Sequence, residues 1–264
     1  MRSVWAVAML LVSLSLFGPL LAPYDPTAID LANRLSGPSV GNLLGTDALG
    51  RDILSRLLHG ARWSLGLAFV ISVLGLIIGT LAGLLAAQGG KVVDWSVMRV
   101  TDTFLAFPEL IAAVVIAGVL GAGTGSLVFA LTVTGWMRYA RVARGIGLSL
   151  QTRGYVVQAR LAGVSMASIA WWHYLPSLLP SLVVVWTGMF ARAILGISAL
   201  GFLGFGVQPP TPEWGTMLLD ARIHMRSTPL QMIWPGLTVI FCVLAINLAG
   251  DTLRDALAQE EKPS

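Results

Sequence analysis

Residues able to do chemistry are few and scattered along the chain. Gly89-Gly90-Lys91 is the one stretch that could cradle a phosphate. A P-loop requires a further glycine five residues before its second glycine and a hydroxyl residue after the lysine, because these grip phosphate and magnesium. Leu85 and Val92 stand at those positions, so the stretch is not a nucleotide site. Neither an HExxH zinc pair nor a GxSxG nucleophile elbow is present. His59, His173 and His224 are too far apart to form a ligand set by spacing, and His224-Met225 reads as a surface position. Cys242 is the lone cysteine, which excludes a disulfide framework and a cysteine-cluster metal site. These residues imply no catalytic group, no metal site and no cofactor.

What remains is a small set of ionisable residues inside apolar runs. Such residues are expensive in hydrocarbon and are therefore functional candidates by default. Asp102 and Glu109 are seven positions apart on one helical face, and Arg99 lies one turn before Asp102. An Arg99–Asp102 ion pair near the cytoplasmic interface is the plain expectation. Arg192 sits deep in its run, with no acid within a turn. It is expected either to face a polar path and favour an anionic cargo, or to pair with Glu109 or a neighbouring subunit. Asp102, Glu109 and Arg192 are thus the candidate path residues.

The elements that must hold these groups are membrane helices. Of 264 residues 56% are hydrophobic and 11% charged, with a mean hydropathy of +0.79. A soluble domain is typically about one-quarter charged. The formal charge of +4 is small and dispersed, with no basic tail or aromatic-interleaved basic patch for nucleic acid. Apolar runs near the roughly 20 residues needed to cross a bilayer fall at 4–21, 63–87, 101–120, 126–142, 178–200 and 233–249. An all-α polytopic protein of six transmembrane helices is expected. The first run is read as an uncleaved anchor, because residues 20–23, Leu-Leu-Ala-Pro, form no good cleavage site.

Lys and Arg concentrate on the cytoplasmic side of membrane proteins. Arg138, Arg141, Arg144, Arg153 and Arg160 follow one another with no acid between them, whereas the outer arginines are balanced by Asp25, Asp30, Asp47, Asp52, Glu213 and Asp220. That asymmetry predicts both termini inside, with Arg2 and Lys262 cytoplasmic. Residues 22–62 and 201–229 become outer segments, rich in Pro and Gly, and 143–174 an inner segment of one or two helices outside the bilayer. Gly75, Gly79 and Gly83 recur every four residues, and the spacing predicts close helix packing, within the subunit in the first place and at a subunit-dimer contact as the alternative.

The inner segment GYVVQARLAGVSMASIAWWHYLPSLLPS (154–181) resembles the cytoplasmic EAA loop of binding-protein-dependent ABC importer permeases. In that family a Glu-Ala-Ala triplet is followed by a glycine after three residues and by Leu-Pro about a dozen later. Val157, Gln158 and Ala159 stand at the triplet, Gly163 at the glycine, and Leu175-Pro176 at the end. Two triplet positions depart from the pattern, including the acidic one. LLGTDALGRDILSRLLHGARWSLG (43–66) and GFLGFGVQPPTPEWGTML (201–218) resemble signatures of the dipeptide, oligopeptide and nickel permeases. PYDPTAIDLANRL (23–35), DARIHMRSTPLQMIWPGL (220–237) and NLAGDTLRDAL (247–257) look most like the second nickel permease subunit and its metallophore relatives.

The resemblance implies a type I ABC importer transmembrane fold in a bacterial inner membrane. Its implied layout is a first helix with an outer segment (1–62), a permease core (63–250) carrying the coupling loop (143–176), and a cytoplasmic tail (251–264). The implied partners are a homologous permease subunit, two ATPase subunits, an extracytoplasmic binding protein and membrane lipid. Tyr155, Val157, Gln158, Ala159, Arg160, Gly163, Leu175 and Pro176 would couple to the ATPase, so that hydrolysis belongs to partners. Pro209, Pro210, Glu213 and Trp214 would face the binding protein. The implied cargo is nickel or a metal chelate, with a di- or oligopeptide as the alternative. A membrane-embedded enzyme or sensor would need a polar cluster that the spans lack.

Overall fold

The computed structural model describes residues 2–260, so Lys262 lies outside the described residues. Helices α1 (Arg2–Leu21), α2 (Ile53–Gln88), α3 (Gly90–Leu105), α4 (Glu109–Leu120) and α5 (Thr124–Leu150) form the first half. The second half holds α6 (Gly154–Leu161), α7 (Met166–Ile169), α8 (Leu175–Phe202), α9 (Trp214–Arg222) and α10 (Leu230–Glu260). A π-helical turn, Ala170–Tyr174, joins α7 to α8 without a break. Four stretches are long and apolar enough to cross a membrane: Val4–Leu21, Ile53–Gln88, Ala170–Phe202 and Leu230–Leu257. Counting α3 with α4 as one broken crossing makes five.

Helix α2 begins ten residues earlier than its apolar run. Asp52 caps it, accepting from the Ser55 N–H and hydroxyl at 2.7 Å each, while Asn42 Nδ2 donates to its other oxygen at 3.0 Å. A side chain that satisfies orphan amide donors is what starts a helix. With 36 residues α2 is about 54 Å long, well beyond a bilayer core, so part of it extends out of the hydrocarbon.

The third apolar run does not form one straight helix. Chain α3 stops at Leu105, α4 starts at Glu109, and the two axes bend by 91°. Pro108 lacks an amide proton and disfavours helical backbone at Phe107 before it. The fourth run overshoots in the other direction, since α5 continues through Arg138, Arg141 and Arg144 to Leu150. Those arginines are therefore all side chains of one continuous helix, in place of a span ending at Val142 and a separate helix beyond it.

Helix α5 packs along α2 through the glycine stripe. A Cβ on Gly79 would lie 2.5 Å from Tyr139 Cβ, and one on Gly83 2.8 Å from Ala143 Cβ, which no side chain tolerates. The predicted close packing is thus made inside the subunit. Two apolar cores result. One gathers Ile53, Leu57, Leu127, Ile194, Ile197 and Trp214 around the first turns of α2 and α9. The other holds Leu84, Tyr139, Val156, Ile169, Tyr174 and Leu178.

Candidate functional site

The candidate site has three parts, at α6 and its turn, along α3–α5 and α8, and where α9 packs on the start of α2. In the first part α6 is rooted by Val156, which is fully buried in the second core. Ala159 packs partly against the same core, while Tyr155, Val157 and Leu161 point away, 44%, 41% and 83% exposed. The helix ends in a Schellman turn. Val164 N–H donates to Ala159 O at 3.1 Å and Gly163 N–H to Arg160 O at 3.0 Å, while Gly163 adopts φ +77°. Only a residue without Cβ takes that conformation cheaply. Gln158 is exposed, Ala159 is half-buried, and Arg160 Nη2 donates to Tyr174 Oη at 3.3 Å. Leu175 opens α8 with Pro176 next to it, just after the π-helical turn, where Pro176 supplies no N–H to the carbonyls of the preceding turn. The result is a short, rooted helix with a bare apolar face.

Along the second part, arginines of α5 meet acids of α3 and α4. Arg144 forms a two-bonded pair with Asp94, whose Nη2–Oδ2 contact is 2.6 Å. Arg141 Nη2 donates to Asp102 at 2.7 Å, and Arg138 lies 3.9 Å from Glu109. The expected Arg99–Asp102 pair is not formed. Arg99 instead stacks over the Trp95 ring at 5.4 Å. Arg192 does not pair with Glu109 either. The two share a small cavity with Ser72, Tyr139 and Met189, while Glu109 and Arg138 line a second one, of about 380 Å³, at the α3–α4 break. Asp102, Glu109, Arg138, Arg141 and Arg192 are all solvent-accessible on the isolated subunit. A lipid-facing surface with that much charge would be prohibitively costly.

The layer that joins α9 to the start of α2 corrects the sequence reading most. Pro209 and Pro210 are exposed, but Glu213 and Trp214 are 0% exposed. Glu213 caps α9, accepting from the N–H groups of Gly215 at 2.8 Å and Thr216 at 3.0 Å. Ser64 Oγ accepts from Trp214 N–H at 3.2 Å, which directs its own proton to Glu213 Oε1 at 3.0 Å. Trp214 Nε1 donates to Leu57 O at 3.1 Å. These two residues are thus the bolt between α9 and α2, and they offer no face to a binding protein. Burial pushes the Glu213 carboxyl above its ordinary value, opposed by the Gly215 and Thr216 amides and Ser64. Arg51 and Arg56, which the sequence reading assigned no role beyond charge counting, converge on Asp47 at 2.7 and 2.6 Å. The signal for them was the run 47–56, where arginines at 51 and 56 follow Asp47 within three helical turns.

Among the described residues, no group of three or more His, Cys, Asp and Glu side chains is placed to hold a metal ion. Four to five membrane-length stretches, a charged face on a broken helix and a short rooted helix with a bare apolar face mark a multi-pass membrane protein. Residues 75–262 match the family described as binding-protein-dependent transport system inner membrane component. The chain is 41% identical to the nickel transport system permease protein NikC of Escherichia coli K12, covering 97% of this chain and 95% of that one. It is 44% identical to the di/tripeptide transport system permease protein DppC of Pseudomonas aeruginosa (94% and 84% covered). A glutathione transport system permease protein, GsiD of Escherichia coli O6:K15:H31, is 40% identical (94% and 82%). In fold it matches a chain of the MetNI methionine ABC transporter, with a TM-score of 0.61 at 21% identity, over 76% of this chain and 95% of that chain. The chain belongs to the binding-protein-dependent ABC importer permeases, in the peptide and nickel branch. It is a multi-pass permease subunit of a bacterial inner membrane; it is not itself an enzyme, and ATP hydrolysis is a partner's task.

Proposed function

We propose that this subunit forms half of a translocation path through six crossings, with both termini cytoplasmic, and that α6 is its contact with the ATPase. The observation that carries this reading is the rooted helix with its bare face. Val156 and the Arg160–Tyr174 contact tie α6 to the π-helical turn that runs into α8, while Tyr155, Val157 and Leu161 remain uncovered for a partner. Closure of an ATPase dimer then moves α6 and α8 together, because packed elements shift as units. The sixth crossing is α5, whose arginines are matched by the acids of α3 and α4. Asp102, Glu109 and Arg192 line the path against a homologous permease subunit, since charge at this depth needs water or protein rather than lipid. Pro209 and Pro210 stand on the side that a binding protein approaches.

The proposed cargo is nickel held as a chelate. Supporting it are the segments 23–35, 220–237 and 247–257 and the cationic balance of Arg138 and Arg192 around Glu109, which suits a carboxylate-bearing complex. The similarity to di/tripeptide permeases sustains a second reading, a small peptide, whose carboxylate would meet the same arginines. The test is co-purification and uptake with the complete transporter. Val157→Asp with Leu161→Asp is expected to release the ATPase subunits while the two permease subunits stay together. Retention of the ATPase would refute the role of α6. Uptake of radioactive nickel with its chelator, unaffected by excess dipeptide, would support the metal reading; competition by dipeptide would replace it with the peptide one.

A further inference from the structure

Beside the Glu213 bolt, a cavity of about 390 Å³ opens between the first turns of α2 and the end of α9, lined among others by Asp47, Arg51, Arg56, Asp220, Arg222 and Gln231. Its charges are unevenly held. Asp47 is tightly bound by both buried arginines, at 2.7 and 2.6 Å, and its side chain is 12% exposed. Asp220 reaches the same two guanidinium groups only at 3.4 Å each, and is 41% exposed. Arg56 Nε is buried without a hydrogen-bond partner, although its side chain is only 4% exposed. Arg222, at the end of α9, lies over the Phe202 ring at 5.9 Å and has no carboxylate partner among the described residues. Three guanidinium groups against two carboxylates leave one positive charge in excess. A buried guanidinium with an unused donor is costly unless a further acceptor satisfies it. Asp47 is the fixed counter-ion of this cluster, whereas Asp220 is a loose one that a better-placed acid can replace.

We propose that this cavity is a docking socket for a carboxylate side chain of the extracytoplasmic binding protein, which displaces Asp220, takes over the Nη2 donors of Arg51 and Arg56 that Asp220 now holds, and pairs with Arg222. This rests on the reading that the layer containing α9 faces outward. Arginine forks suit carboxylates because they offer parallel donors at matching spacing. Charge complementarity of this kind mainly sets partner choice and encounter rate. Docking here would also free α9 from its ionic tie to α2 while the Glu213 bolt stays in place. The socket therefore offers a route by which arrival of the binding protein is felt at α2, and through the glycine stripe at α5.

The test is the affinity of the binding protein for the assembled transporter in lipid nanodiscs. Asp220→Asn removes the internal competitor and is expected to tighten docking roughly threefold to tenfold, while Arg222→Ala weakens it by a similar factor, both effects shrinking at high salt. Unchanged or weaker docking by Asp220→Asn would overturn the proposal, since a purely structural Asp220 gives that result. A change confined to the cargo concentration needed for uptake would also overturn it, by moving the site to the cargo. Failure of the wild-type transporter to dock its binding protein from the outer side would instead refute the orientation on which it rests.

Discussion

Removing the Glu213 acceptor should damage this subunit more than any change in the exposed prolines beside it. Glu213 is fully buried and accepts from two backbone amides and the Ser64 hydroxyl. Glu213→Gln keeps the volume but turns one acceptor into a donor facing an N–H group, a loss of about 1–2 kcal/mol. Glu213→Ala leaves both amides and the hydroxyl unpaired at about 1–3 kcal/mol each, partly relieved by relaxation, and opens a void; the sum is about 3–5 kcal/mol. Pro210→Ala, at an exposed position, should cost under about 0.5 kcal/mol. Unfolding in mixed micelles titrated with a denaturing detergent gives the order. The pH dependence follows from the raised carboxyl, whose folded value lies above the ordinary 4.5. The native state takes up a proton before the unfolded chain does, so acidification from the raised value toward 4.5 adds stability that Glu213→Gln cannot gain. A Glu213→Ala protein as stable as Pro210→Ala would refute the bolt.

Other outcomes follow from the packing and the charged face. Gly79→Ala places a Cβ 2.5 Å from Tyr139 Cβ, so α2 and α5 must separate, at a cost of about 1–3 kcal/mol read in the same titration; a neutral result would mean the stripe is not a tight contact. Arg192→Leu is expected to lower uptake at least severalfold with assembly and basal ATP turnover unchanged, and full uptake would remove Arg192 from the path.

Much of the helical plan was legible because apolar runs, glycine spacing and proline punctuation are local signals. The start of α2 was missed because Arg56, His59 and Arg62 break the apolar pattern, although Asp52 with Ser55 three residues later is a capping signal. The break at Pro108 was overlooked because the sequence from Leu110 to Leu120 stays apolar enough to continue a span. Partners of the charged residues were not legible at all. Arg99 is one turn from Asp102, yet Asp102 meets Arg141 from another helix, 39 positions away. Glu213 and Trp214 looked like loop residues because they follow Pro209-Pro210-Thr211-Pro212, and their burial depends on Ser64 and Leu57, some 150 positions back. Helix α6, by contrast, was marked by Gly163 and Leu175-Pro176, whose places in the fold come from backbone geometry rather than from distant contacts.

The most direct measurement is the sidedness of α6. A single thiol placed by Leu161→Cys, in a Cys242→Ala background, is to be labelled with a membrane-impermeant maleimide in intact cells and in inverted vesicles, with and without the ATPase subunits. Labelling only in inverted vesicles, blocked when the ATPase is bound, is the expected result. Labelling in intact cells would place α6 outside, and no ATP-driven partner could then reach it.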